Sequence, residues 1–335
     1  MTGPMAETSV IIVTFNGLRW LGSCLTALTP QVDSNSEIIL VDNASSDGSV
    51  GFVRRAFPRV RIVTLETNRG FAVGSNEGYK ASSGRLLVFL NNDTKPAADW
   101  LQALRRALEE HVWADLATSL IVFQDDPSRV DSAGDGFIRS GGAFKRAHGQ
   151  SIQEALEPRE VFGVCGAACL IRREVFEDVG GFDEDFFMVH EDVDLSYRAQ
   201  LLGYRCVYAP HAIVVHAGSG TLGRLSPAAV VLGQRNLEWV YLKNTPWLML
   251  VLTLPGHLLY NIVALVHFAV HGLLRSFAAG KWRALKGLPG VWRKRREIQD
   301  RRRTSVRRIW RLMEPRWFVL KLREKRVDLR RVPDP

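Results

Sequence analysis

Five short apolar runs, each closed by turn-forming residues, set the frame of this chain: SVIIVTF (9–15), EIILVD (37–42), RIVTLE (61–66), LLVFLN (86–91) and LATSLIVF (116–123). Between them lie stretches of helical period at 18–28, 47–57, 71–82 and 97–110. Strands that alternate with helices need crossover connections, and the crossovers cover both faces of a mostly parallel sheet. The expected fold class is therefore α/β. In such sheets ligands bind beyond the carboxyl ends of the strands, so polar residues just past those ends are the first candidates for a site.

Three strand ends qualify. The first run leads into Thr14-Phe15-Asn16-Gly17, the second into Asp42-Asn43, and the fourth into Asn91-Asn92-Asp93. Taken singly, Asn, Asp and Gly are ordinary turn and cap residues. Three such loops at one sheet edge point to a site. No G-x-G-x-x-G or P-loop sequence follows the first run, which excludes the usual dinucleotide and triphosphate cradles. A nucleotide is then held by carboxylate and amide contacts to its base and ribose, with a divalent ion on its phosphates, and Asp93 is placed for that ion.

From about 124 to 160 periodicity is lost among glycines and polar residues, the mark of a lid or a substrate-facing wall. Order returns and ends in FFMVHEDVDLSYR (186–198), where Glu191, Asp192 and Asp194 crowd beside His190. Acids in the first turn of a helix are favoured by its dipole, and Leu195 with Arg198 continues a helical period. Crowded carboxylates also raise one another's pKa. His216 closes a further apolar run, either as a metal ligand or as a capped polar residue.

In register along residues 8–245, VIIVTFNG (10–17), ILVDNASSDGS (39–49), NRGFAVGSNEGY (68–79), FLNNDT (89–94) and GGFDEDFFMVHEDVDLSYRAQLLGY (180–204) resemble the family 2 glycosyltransferases, inverting enzymes of the GT-A nucleotide-diphospho-sugar transferase fold. Within that family the pattern looks most like rhamnosyltransferase-type enzymes of bacterial cell-envelope polysaccharide synthesis. The resemblance implies that Asp42 contacts a uracil or thymine base, with Thr14 and Arg69 in the same pocket. It extends nucleotide-sugar binding to Asn16, Asn43, Asn76, Asn91, Asn92 and Asp93. Asp93 and His216 would hold Mg²⁺ or Mn²⁺, and Asp192 would be the general base, with Glu191 as a second catalytic carboxylate or a group that binds acceptor or steadies the loop. Asn91-Asn92-Asp93 departs from the family's D-x-D by placing an amide where a carboxylate is usual, which lowers the expected metal affinity.

Charge divides the rest. Residues 1–274 carry 23 Lys and Arg against 29 Asp and Glu, whereas residues 275–335 carry 21 against 6. Between Thr245 and Leu274 no residue is formally charged. That length suffices to cross a bilayer, but Pro255-Gly256 interrupts it, and His257, Asn261, His267 and His271 share a third of the wheel. A single crossing would also put the basic tail outside, against the positive-inside tendency. The expected organisation is a catalytic domain at 1–245, an apolar membrane-associated helix at 246–274 that is interfacial or re-entrant or else spanning, and a basic amphipathic tail at 275–335 resting on anionic lipid. Cys24, Cys165, Cys169 and Cys206 are too few and scattered for a disulfide framework. With no basic-then-apolar leader in the opening residues, the cytoplasmic face of the cell membrane is the expected location.

The function expected is transfer of a sugar, best a thymidine-diphosphate rhamnose or else a uridine-diphosphate sugar such as galactofuranose, to a lipid-linked or growing glycan. A nucleic-acid-binding protein built on the Arg-rich tail is a competing reading; the acidic first part speaks against it. A nucleotidyltransferase would consume a free triphosphate, and the Glu191-Asp192 pair favours sugar transfer instead.

Overall fold

The structure, a computed structural model, describes residues 6–218 and 226–329. Strands β1 (Thr8–Thr14), β2 (Ser36–Asp42), β3 (Arg61–Thr64) and β4 (Leu86–Leu90) alternate with helices α1 (Leu18–Leu28), α2 (Ser49–Ala56) and α3 (Gly70–Ala81). There follow β5 (Thr94–Pro96), α4 (Trp100–Glu110) and β6 (Leu116–Phe123). The aperiodic stretch supplies four short strands, β7 (Val130–Ser132), β8 (Asp135–Phe137), β9 (Ala143–Lys145) and β10 (Arg159–Val161). After it come β11 (Ala168–Arg172), α5 (Arg173–Val179), α6 (Glu191–Leu202) and β12 (Cys206–His216).

The main sheet has the order β10-β12-β6-β11-β4-β1-β2-β3, with β5 on β12 and β7 on β6. Its N-terminal part is parallel as expected, β1 pairing with β2 and β4, and β2 with β3. The remainder is mixed: β11 runs antiparallel to both β4 and β6. Side chains alternate across the sheet. Val10, Ile12, Ile38 and Leu40 pack with α1 and α4 on one face, while Ile11, Ile39 and Val41 pack on the other with Phe176 of α5 and Leu195 of α6. Helix α3 lies close on β1 because Gly78 has no side chain; a Cβ there would stand 2.3 Å from Ile11 Cγ2.

The C-terminal third is helical: α7 (Pro227–Asn244), α8 (Trp247–Val270), α9 (Leu274–Lys286), α10 (Leu288–Asp300), α11 (Val306–Leu312) and α12 (Trp317–Leu329). Packing crosses the compositional boundaries at 245 and 274. One buried cluster joins Phe137, Tyr197 and Trp239 to Met249, Val291, Ile309 and Met313. The expected break at Pro255-Gly256 does not occur, since α8 is continuous through Pro255. Proline removes the bond to the carbonyl four residues back, but Pro255 and Val251 both lie on the outer face. The apolar segment is thus one continuous helix and not a pair hinged at Pro255.

Helix α8 is long and apolar enough to cross a membrane by length and composition. One face is nevertheless docked on the protein. His257 stacks on Tyr241 at 3.9 Å, its Nδ1 lies 2.9 Å from the Ser140 carbonyl, and its Nε2 lies 3.0 Å from Glu238. Trp247, Leu248, Leu252, Leu258, Leu259 and Ile262 face outward and are exposed. Some of the tail's cations are engaged within the chain: Lys294 pairs with Asp183 and Asp185, Arg301 with Asp178, and Arg308 with Glu160.

Candidate active site

Parallel pairing sets Thr14 directly beside Asp42, so the strand ends of β1 and β2 are level. Asn92 follows β4 and donates from Nδ2 to Thr14 Oγ1 at 2.8 Å, joining the third end to the first. Thr14, Asn43, Asn91, Asn92 and Asp93 line a cavity of about 580 Å³. Asn43 also ties the β2 loop to α3, accepting from the Arg69 amide at 2.9 Å and donating to the Gly70 carbonyl at 2.8 Å. Asp42 is buried; its Oδ2 accepts from the Ser45 amide at 3.1 Å and its Oδ1 has no protein partner. A buried orphan acceptor calls for a ligand donor.

Four expected nucleotide residues are not in the cavity lining: Asp42, which sits beside Thr14 in the sheet, and Asn16, Arg69 and Asn76. Asn16 is exposed and accepts from the Ser46 amide at 2.8 Å, holding the β1 and β2 loops together. Arg69 is half-exposed, 3.7 Å from Glu184. Asn76 is not brought to the cavity: its amide oxygen accepts from the Phe182 amide and its nitrogen donates to the Phe182 carbonyl, at 3.0 and 2.9 Å. That clamp anchors the loop that leads to the acidic helix.

At the end of β12, His216 stands between two carboxylates. Its Nδ1 is 2.9 Å from Asp131 Oδ2, and its Nε2 is 3.4 Å from Asp93 Oδ1. Asp131 is buried and also meets Lys145 Nζ at 2.7 Å. Burial alone would raise the Asp131 pKa, but Lys145, His148 and His216 hold it well below the usual carboxylate range. Burial disfavours the charged His216 ring, yet hydrogen bonds to Asp131 and Asp93 carry its pKa up to about 9. A carboxylate behind an imidazole fixes the tautomer and aims the far nitrogen at a cation. A divalent ion at Asp93 and His216 would take the place of the proton that the His216 ring shares with the two carboxylates, with phosphate and water oxygens as its remaining ligands.

The three crowded acids separate. Asp194 is fully buried in a pairing network, 2.9 Å from Arg198 Nε, 2.8 Å from Lys243 Nζ and 2.7 Å from Asn244 Nδ2. Glu191 is buried, does not line the cavity and leaves Oε2 without a partner; burial and then Asp192 raise its pKa well above the ordinary value. Only Asp192 lines the cavity. Its Oδ2 accepts from the Gly166 amide at 2.8 Å and its Oδ1 from the Val193 amide at 2.8 Å. Burial raises its pKa against the pull of those amides. Crowding by its neighbours in sequence is thus not the main cause.

A fourth carboxylate, Asp135 on β8, faces Asp192 from the aperiodic stretch. Burial and then repulsion from Asp192 raise its pKa well above the usual range. Asp135, Cys165 and Asp192 each bring one polar atom within 4.8 Å of the others. The Cys165 thiol is likewise pushed well up by burial and then Asp135, which disfavours the deprotonated ligands that a cation needs there. Asp131, Asp135 and Lys145 escape sequence reasoning because short irregular strands give no period; the glycine-rich, polar character of 124–160 was the available signal. The lining also includes Val189, Val230, Leu237 and Phe268, together with Lys321 and Glu324 of α12.

Residues 9–180 match the model of a family described as glycosyl transferase family 2. The chain is 28% identical over 306 residues to the N-acetylglucosaminyl-diphospho-decaprenol L-rhamnosyltransferase of Mycobacterium tuberculosis, covering 83% of this chain and 97% of that one. Glycosyltransferase AglE of Haloferax volcanii is 27% identical over 224 residues, 64% of this chain and 68% of AglE. Among solved structures, GalNAc-T7 with UDP, GalNAc and Mn²⁺ superposes with a TM-score of 0.54 at 18% identity, over 71% of this chain and about half, 48%, of that one. S. aureus TarS with UDP-GlcNAc gives 0.51 at 18%, over 72% and 68%. At such identities the likeness is one of fold, the GT-A arrangement of a mixed sheet between helices. The family match spans just over half of the 335 residues and contains the three strand ends that meet at the cavity; the chain belongs to glycosyl transferase family 2.

Proposed function

We propose that this enzyme transfers a sugar, with inversion, from a nucleoside-diphosphate donor to a hydroxyl of a lipid-linked glycan. The observation that carries the reading is the meeting of Thr14, Asn92, Asp93, His216 and Asp192 in one cavity. Asp192 takes the proton of the acceptor hydroxyl as its oxygen attacks the anomeric carbon, and the bond to the diphosphate oxygen breaks on the opposite face. The products are the glycoside, the nucleoside diphosphate and a proton left on Asp192. Its amide partners at Gly166 and Val193 fix the carboxylate, and burial makes it a stronger base. Asp42 Oδ1 accepts the imide N–H of a uracil or thymine base, and Asn91 and Asn92 lie where the ribose and phosphates follow. A divalent ion held by Asp93 and His216, with Asp131 orienting the histidine, supplies positive charge for the departing diphosphate.

The rhamnosyl and decaprenol-diphosphate terms in the name of the mycobacterial relative support a thymidine-diphosphate rhamnose donor and a polyprenyl-linked acceptor in envelope polysaccharide synthesis. A uridine-linked donor is the second reading, favoured by the UDP-GlcNAc bound to TarS and by an imide contact that does not tell thymine from uracil. The exposed outer face of α8 and the basic helices after it support attachment to the cytoplasmic surface of the membrane, with α8 lying in the interface. His257 and Glu238 bind its inner face to the catalytic part.

The test is nucleoside diphosphate release from a panel of nucleotide sugars with lipid extract as acceptor, run with wild type, Asp192→Asn and added chelator. Turnover of one donor that needs Asp192 supports the reaction and names the donor. Release from none, with folded protein and acceptor present, overturns it. Full activity in strong chelator removes the metal from the proposal.

A further inference from the structure

The loop before α6 is strained in a way that sequence reading passes over. Phe187, Val189 and His190 all have positive φ, at 64°, 72° and 68°. For Val189 this is a true outlier, because a β-branched side chain collides with its own backbone there. Such strain persists only where the surroundings enforce it, and it gathers at functional sites. Here the enforcement is visible: the buried Asn236 amide donates to the carbonyls of Phe186, Met188 and Val189 at 3.1, 2.9 and 2.6 Å, and Arg235 Nη2 donates to Asp185 and Phe186.

What the strained loop presents is His190. It lines the same cavity as Asp192 and as the apolar Val189, Val230, Leu237 and Phe268. It heads α6 without serving as a side-chain cap, and neither ring nitrogen has a hydrogen-bond partner among the described residues. Burial and the nearby Lys321 lower its pKa to about 3, so the ring is neutral and offers one donor and one acceptor. A neutral imidazole aimed into a cavity, with no internal partner, suits a hydroxyl or amide of a bound sugar.

We propose that His190 binds the acceptor sugar and positions its attacking hydroxyl against Asp192, with the lipid portion of the acceptor entering along the apolar lining. This rests on the transfer reaction proposed above. The role is one of substrate binding and specificity, since Asp192 takes the proton.

Three full-length variants test it: His190→Asn, His190→Gln and His190→Ala. Asn tolerates the left-handed backbone better than His, so His190→Asn is expected to melt at or above the wild-type temperature. Its kcat/KM for acceptor is expected to fall about 10-fold or more, mainly through acceptor KM, with nucleoside diphosphate affinity by titration unchanged. Gln, whose amide reaches toward the Nε2 position, is expected to recover part of the loss that Ala suffers in full. If His190→Asn and His190→Ala keep wild-type kcat/KM for acceptor in an assay where Asp192→Asn is inactive, the role of His190 is overturned while the transfer reaction stands. A parallel loss of nucleoside diphosphate affinity overturns it too, by showing a general collapse of the site. Absence of wild-type turnover on every donor overturns both.

Discussion

Neutralising each of the three neighbouring acids in turn should give three different phenotypes, although Glu191, Asp192 and Asp194 lie within four positions. Asp194→Asn removes the anion between Arg198, Lys243 and Asn244, where all contacts are 2.7–2.9 Å and the carboxylate is fully buried. Breaking a buried pair from one side leaves its partners desolvated and uncompensated, at a cost of about 3–5 kcal/mol. At roughly 2–4 °C per kcal/mol for chains somewhat shorter than this one, the melting temperature should drop by about 6–20 °C, toward the lower end for this longer chain. Asp192→Asn acts the other way on stability. Burial has raised the pKa of Asp192, so its folded-state pKa lies above the unfolded one and ionisation at neutral pH destabilises the fold. The amide removes that charge, and melting should hold or rise while turnover falls about 10²–10⁴-fold with loss of the base. Glu191 is already held toward its protonated form, which Gln imitates, so Glu191→Gln should change neither property much. Paired thermal melts and nucleoside diphosphate release on the same preparations decide the matter. Turnover lost in Glu191→Gln but kept in Asp192→Asn would transfer the base to Glu191, and a wild-type melt for Asp194→Asn would refute the buried network as a structural device.

Three further outcomes are expected. Asp131→Asn leaves Asp93 and His216 in place but removes the carboxylate that orients His216; Mn²⁺ affinity of the folded protein with nucleoside diphosphate, read by titration, should fall about 10–100-fold, and unchanged affinity would refute the second-carboxylate role. Glu238 has a pKa of about 2, because the hydrogen bond from His257 and the charge of Lys281 outweigh burial. A depressed folded-state pKa gives stability that is present above the unfolded value near 4.5 and lost as pH falls toward about 2, worth about 3 kcal/mol in order of magnitude. Denaturant melts of wild type and Glu238→Gln should therefore differ at pH 7 and converge toward pH 3, and a constant difference would refute the linkage. Replacing Leu258, Leu259 and Ile262 together by Ser should leave melting unchanged, since all three are exposed, while sharply reducing flotation with vesicles containing anionic lipid; undiminished flotation would remove α8 from the membrane surface.

The first half of the chain is legible in its sequence because its signals are local. Helix α1 begins and ends where its period does, and each apolar run of β1, β2, β4 and β6 closes on the turn residues that mark a strand end. Parallel order then sets Thr14 level with Asp42 without further information. The catalytic wall is different. Asp131, Asp135 and Lys145 belong to three-residue strands, and their chemistry comes from partners 14 to 85 residues away. No window of sequence contains such pairs. The strain at Val189 and His190 is equally hidden, because its cause is the amide of Asn236, 46 residues beyond His190 on α7.

The tail shows best why composition alone misleads. Its excess of Arg reads as a surface in search of phosphate, yet Arg295 donates to the carbonyls of Leu242 and Thr245 at 2.6 Å, and Arg301 and Arg308 pair with Asp178 and Glu160. Part of the charge of the basic last part is therefore matched by acids of the first part. Helix α12 extends that pairing to the site: Glu324 accepts from the Lys145 amide at 2.8 Å, Lys321 donates to the Ala143 carbonyl, and both residues stand in the cavity wall. The same C-terminal region carries the exposed apolar face of α8. On the reading proposed above, a lipid surface that held that face would also hold part of the cavity wall beside His190 and Asp192, which would make attachment and acceptor entry properties of one helical layer.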